Sequence, residues 1–310
     1  MEIQFVTPNE YLQFFPRPIS LFNSVEFSEL NSYKCIHLHY LIFKDKKVRL
    51  GIIIGEKKDS FNVPFSASYG GFSYNSNVAF QYYEAAAVLL VDWVKKNGKK
   101  LRIILAPSIY NSIDSAKTLG AFTQAGARID TIEYNQHFEL RKFCNYMELI
   151  DSKTRNKLRN ALNEGLLFHI LNSKSEFDIA RVYDIIRCNH EEKGRPLHMS
   201  LQNIIDTVKI IPADIFVVSN LSGSDVAAAL IFHTTDIIYQ VVYWGDIPMY
   251  ANLKSMNYLS YKIFEFYNSK GIEILDIGIS TECGIPNYGL CEFKENIGCD
   301  ASSRFTLIVE

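Results

Sequence analysis

Lys294 sits in the stretch NYGLCEFKENIGC, which starts at Asn287. Wound at about 100° per residue, Leu290, Phe293 and Ile297 form one apolar stripe while Glu292 and Glu295 point away from it. Lys294 falls about 40° from Leu290 on that wheel, so it is the charged side chain of the segment turned toward the buried side. Two chemistries fit a lysine so placed. Its stem can lie along the stripe with the ammonium in water, or the ammonium can face a donor phosphate or the oxyanion of a tetrahedral intermediate.

Other groupings invite the same double reading. The loop NHEEKGRPLH gathers His190, Glu191, Glu192, Arg195 and His198, able to hold a polar ligand or simply to dress a solvated helix end. Arg155 and Arg159 share one helical face, spaced for a phosphate pair or for solvent. Gly70 and Gly71 in SASYGG permit close approach of the backbone to a ligand, and equally suit a sheet bulge. Metal chemistry finds little support. Cys283, Cys291 and Cys299 recur at an interval that matches no zinc spacing, and His37 and His39 share a strand face without a third ligand. No glycine-rich dinucleotide fingerprint is present, so no bound cofactor and no metal are expected.

The elements that must carry these residues follow from periodicity. CIHLHYLIF and VRLGIIIGE, joined by KDKK, read as an antiparallel hairpin. Residues 79–96 repeat apolar side chains every three or four positions and stop at Gly98, which marks an amphipathic helix. The strand LRIILA, a small-residue helix through AKTLGAFTQAG, and the strand ARIDTIEYNQHFEL complete the first half. In the second half Asp151 or Ser152 caps the helix KTRNKLRNALNE. Two more helices and three antiparallel strands follow, then a long helix over 253–267, the strand EILDIG, the short helix of Lys294 and a last strand. Each half thus ends in the same order: meander, long helix, strand, short helix closed by glycine, strand. That spacing predicts two copies of one mixed α/β domain, at 1–148 and 149–310.

This order resembles the GNAT acyltransferase fold, and its tandem use resembles the FemAB-like, Fem-type peptidyltransferases. Three stretches carry the likeness: PFSASYGGF with its Tyr-Gly-Gly, the basic helix SKTRNKLRNALNEGL, and GLCEFKENIGC with its Phe-Lys pair. The resemblance implies an acyl site where IIYQVVYWG and EILDIG splay apart. Tyr243 and Trp244 would then border the gap from one side, and Asp276, Ser280 and Glu282 from the other. Tyr243, Asp276 and Glu282 become the candidates for proton transfer. Lys294, Phe293, Asn287, Tyr288, Trp244, Glu191, Arg195, Tyr69 and Gly70 become the candidates for binding donor or acceptor. Where the GNAT signature places glycines to grip a pyrophosphate, the chain reads GDIPMYANLKS, which lacks them. The long charged helical hairpin of tRNA-using Fem enzymes is also missing.

Composition narrows the partners. With 32 basic and 34 acidic side chains the net charge is −2, so no global field draws the protein to DNA, and use of tRNA is disfavoured. The longest apolar runs fall short of the roughly 20 residues that span a bilayer. The start MEIQFVTPNE lacks a secretory pattern, and the six cysteines form no CxxC pair, so a cytoplasmic protein with reduced thiols is expected. The functional expectation is an N-acyltransferase using acyl-CoA or an aminoacyl donor as co-substrate. Its acceptor would be an amine of a cell-envelope or sugar-nucleotide precursor. The rival is a non-catalytic GNAT-like module that recognises a precursor or a protein.

Overall fold

A computed structural model describes residues 1–310, which divide into two compact units. Unit 1 comprises Met1–Tyr134, Thr281–Ile285 and Ser302–Glu310; unit 2 comprises Asn135–Ser280 and Pro286–Ala301.

Unit 1 begins with β1 (Glu2–Val6), α1 (Pro8–Phe14) and α2 (Val25–Leu30). The hairpin β2 (His37–Lys44) and β3 (Val48–Glu56) pairs antiparallel, as its alternation predicts, and β4 (Ser60–Val63) follows. Then come α3 (Phe80–Lys96), β5 (Lys100–Ile104), α4 (Ser112–Gln124) and the start of β6 (Arg128–Glu139). α3 buries Tyr83, Ala86, Ala87, Leu90, Val91 and Val94, the face its period marks, and Gly98 leaves it at φ 63°. Because α3 is the crossover between β4 and β5, these two strands run parallel, from Ser60 opposite Lys100 to Val63 opposite Ile103.

Unit 2 continues through α5 (Tyr146–Leu149), α6 (Ser152–Asn163), β7 (Leu167–Leu171), α7 (Glu176–Glu192) and α8 (Leu201–Thr207). The meander β8 (Ala213–Ser219), β9 (Asp225–Phe232) and β10 (Ile238–Asp246) follows, then α9 (Ser255–Ser269) and β11 (Ile274–Ile279). A small hairpin, β12 (Thr281–Glu282) and β13 (Ile285–Pro286), leads to α10 (Tyr288–Asn296) and β14 (Asp300–Val309). Asp151 caps α6 by accepting from the Thr154 amide, which decides between the two caps, Asp151 and Ser152, that the sequence offers. α9 packs its inner face on the sheet, where Phe264 stacks on Phe138 with centroids 4.0 Å apart.

The strand orders carry a difference from the expected halves. In unit 1 the order is β1-β2-β3-β4-β5-β14, and in unit 2 it is β6-β11-β10-β9-β8-β7. The strand that closes each repeat therefore lies in the other repeat's sheet: β14 pairs with β5, from Thr306 opposite Ile104 to Val309 opposite Leu101, and β6 pairs with β11. A division at 1–148 and 149–310 misses this exchange, because both strands satisfy the same local pattern whichever neighbour they take. No helix is long and apolar enough to cross a membrane.

Candidate functional site

β10 and β11 pair in parallel for three rungs only, Ile238 with Ile274, Tyr239 with Leu275 and Gln240 with Asp276. Beyond them each strand follows its other neighbour. β10 stays with β9 to Asp246 through a bulge between Val241 and Tyr243, and β11 stays with β6 through a bulge between Asp276 and Gly278. Two bulges on adjacent strands bend them apart, which opens a gap past Gln240 and Asp276. Val242 is the extra residue of the β10 bulge, without a register partner on β9. No residue type announces a bulge of this kind, so pattern reading missed Val242.

The floor of the gap is a closed polar lattice. Asp276 is fully buried. Its Oδ1 accepts from Asn135 Nδ2 at 2.9 Å and from the Gly278 amide at 3.0 Å, while its Oδ2 accepts from Gln240 Nε2 at 3.2 Å. One carboxylate thus ties β6, β10 and β11 together where the parallel rungs end. Such enclosure suits a strand clamp rather than a base that must meet an entering amine.

Lys294 is 2% exposed and is the buried residue of α10, more enclosed than Leu290 and Phe293 of the apolar stripe beside it. Its ammonium donates to the Gly278 and Ile279 carbonyls, each at 2.9 Å. It does not reach water along its stem. Successive carbonyls of an extended strand point in opposite directions, so two turned toward one ammonium report the bend at Gly278, whose φ is 78°. Burial lowers the Lys294 pKa to about 8, against the pull of Cys299, Asp276 and Cys291.

The remaining candidates scatter. The Tyr243 oxygen accepts from the Met199 amide at 3.3 Å, and its ring meets His190 edge-on. Burial pushes the phenol up, so it stays protonated with its own hydrogen available. Trp244 contacts half-buried Phe293 edge-on at 5.9 Å. Asn287 is spent on capping α10, accepting from the Leu290 amide, and Tyr288 is 79% exposed. Glu191 is exposed and bonded to Arg187, and Arg195 is exposed. Glu282 lies exposed in unit 1, whereas Tyr243 and Asp276 belong to unit 2.

No family model and no curated protein sequence matches the chain. Its structure is similar to that of FemX, with a TM-score of 0.66, 14% identity, and coverage of 99% of this chain and 97% of that one. It is also similar to L-PGS from Bacillus licheniformis, with a TM-score of 0.62, 12% identity, and coverage of 97% and 90%. A tandem GNAT protein from the clavulanic acid biosynthesis pathway gives a TM-score of 0.55 at 9% identity, covering 100% and 98%. The chain has the tandem GNAT fold. α9 begins directly after the segment GDIPMYANLK. That end has no side-chain cap, and Lys254 stands at the N-cap with φ 53°. A non-glycine residue thus adopts the left-handed conformation usually left to glycine. The Ser255 hydroxyl beside it is buried without a partner.

Unit 1 holds a pocket at the matching end of its own parallel pair. β4 ends at Val63, and the chain returns so that Gly70 bridges Leu105, its amide donating to the Ile104 carbonyl at 2.9 Å. A Cβ on Gly70 would lie 3.0 Å from the Pro64 nitrogen, so close approach rather than a bulge explains this glycine. Tyr69 packs on Tyr110 with centroids 4.5 Å apart. Together with Asn111, Asp114, Ser115 and Thr118 of the α4 segment they line a cavity of about 50 Å³. Asp114 and Thr118 escaped sequence reading because no motif in α4 singles them out.

One trio has metal-ligand chemistry. His137, Glu139 and Asp300 place ligand atoms within 4.8 Å of one another. Both carboxylates already carry cations: Lys142 bonds Asp300, and Arg141 bonds Glu139 at 2.7 Å.

Proposed function

We propose that the protein is an N-acyltransferase that takes an acyl group from acyl-CoA, or from another activated acyl or aminoacyl donor. The acceptor is the amine of a cell-envelope or sugar-nucleotide precursor. The observation that supports this reading is the parting of β10 and β11 after Gln240 and Asp276 within a fold shared with FemX and a tandem GNAT protein. A linear acyl chain fits between two parted strands, where the amide of Val242 can donate to the donor carbonyl and to the oxyanion that follows. The α9 N-terminus and Lys254 can offset the donor's phosphates.

The chemistry balances without a covalent enzyme intermediate. A neutral amine, its ammonium proton already lost to solvent, attacks the acyl carbon, and the nitrogen of the tetrahedral intermediate then releases a second proton that restores the Tyr243 phenol by way of solvent. The tetrahedral intermediate then collapses with cleavage of the thioester C–S or ester C–O bond. Tyr243, a neutral phenol whose oxygen already accepts one bond, gives its hydrogen to the leaving group. Asp276 and Lys294 act as positioning residues that shape the gap. Incubating the protein with a panel of acyl-CoA thioesters and amino-sugar nucleotides, and reading N-acylated product by mass spectrometry, tests the proposal. Time-dependent product that falls roughly tenfold or more in Tyr243→Phe is expected.

The enclosure of Asp276 favours a second reading, recognition without transfer, since the carboxylate suggested as a base is fully buried and already accepts from three donors. That reading predicts saturable donor or precursor binding with product no faster than the protein-free blank.

A further inference from the structure

The pocket in unit 1 has a chemical bias unrelated to acyl transfer. Its lining includes no lysine, arginine or histidine. One Asp114 oxygen accepts from the Tyr83 hydroxyl at 2.7 Å, and no hydrogen bond reaches the other. Lys117, three residues along α4, is held elsewhere, donating to Asn77 Oδ1 and to the Val78 carbonyl. The Thr118 hydroxyl is buried at 1% exposure without a partner, although Thr118 lines the cavity. A buried hydroxyl left unpaired is costly unless a ligand or water meets it.

We propose that this pocket is a binding subsite for a primary ammonium bearing a neighbouring hydroxyl, as in an amino sugar or an amino alcohol. The ammonium pairs with the free Asp114 oxygen, and the hydroxyl takes the Thr118 group. Space agrees with this class. At about 10 to 15 Å³ per water-sized site, a cavity of about 50 Å³ holds a fragment of a few heavy atoms, not a nucleotide. Charge agrees as well. Burial raises the Asp114 carboxyl above its ordinary value, partly offset by Tyr83 and Lys117, and an ammonium would stabilise the charged form. A phosphate or carboxylate ligand would instead meet Asp114 with no cation bonded to it. The inference goes beyond the acyl-transfer reading, because it concerns binding in unit 1 alone and its test needs no turnover.

The probe is ethanolamine, titrated into the full-length protein and followed by amide NMR shifts. Saturable shifts at Gly70, Gly71, Ser115 and Thr118, with a Kd of about 1 to 10 mM, are expected. Ethylene glycol, the neutral counterpart, should bind at least about tenfold more weakly, as loss of a charge-assisted contact implies. Asp114→Asn should abolish the charge preference, with the Tyr83 bond retained as a check on folding. Thr118→Val should weaken ethanolamine a few-fold while keeping the preference for the ammonium. Equal binding of ethylene glycol, unchanged affinity in folded Asp114→Asn, or no saturable shift by about 100 mM would each overturn the assignment.

Discussion

Lys294 carries the most information per residue. Helical geometry turned it inward, and the structure shows why an inward lysine is tolerated: two carbonyls freed by the β11 bend need a donor. Lys294→Met keeps the volume and strands both acceptors, at a cost of about 2 to 4 kcal/mol in a urea titration. The pH dependence has a definite sign. With its pKa lowered from 10.5 to about 8, the folded lysine loses its proton first, so the unfolded chain binds more protons across that window. Wild-type stability relative to Lys294→Met should therefore rise from about pH 8 to pH 10.5. A flat difference would place the ammonium in water after all. Asp276→Asn offers a second check. Its new amide would face one of three donors, and a loss of about 2 kcal/mol in the urea midpoint is expected. A neutral result would mean that the carboxylate does not clamp the strands.

At the scale of elements, nearly every helix and strand was legible, because α3, α9 and the β2–β3 hairpin carry strong periodicity and end at glycines or charged turns. Partnership was not. β14 reads TLIV toward its end in any pairing, and nothing in those residues says that β5 rather than β11 is its neighbour. The bulge at Val242 was equally silent, since such a bulge is set by neighbouring strands more than by its own residue, whereas Gly278, beside the extra residue Ile277 of the β11 bulge, is a residue type that marks one. The exchange predicts where damage appears. Removing residues 302–310 should expose β5, so that fast amide exchange appears in Leu101 and Ile103 of unit 1. If protection is lost in β11 and kept in β5, the strand assignment is wrong. Of the candidate residues, Tyr243 lies on β10, Asp276 on β11, and Lys294 bonds the β11 carbonyls, whereas Glu282, Tyr288 and Arg195 are exposed side chains. Resemblance to a motif locates a segment, but it does not say which side chains the segment encloses.

For the whole molecule, the near balance of 32 basic and 34 acidic groups leaves ligand recognition to local groups. Arg141 and Lys142 already bond the Glu139 and Asp300 carboxylates, and the proposed transfer uses no metal. Dialysis against a chelator should leave transfer unchanged, and restoration of lost activity by a divalent ion would place a metal at that trio. In the proposed reaction the donor's acyl group lies between β10 and β11. Hydrogen–deuterium exchange with and without a competent acyl donor tests it most directly. Slowed exchange in residues 241–246 and 277–280 is expected on adding donor, with the CoA-free acyl acid giving little effect. Donor binding that protects other segments and leaves both of these unchanged would contradict it.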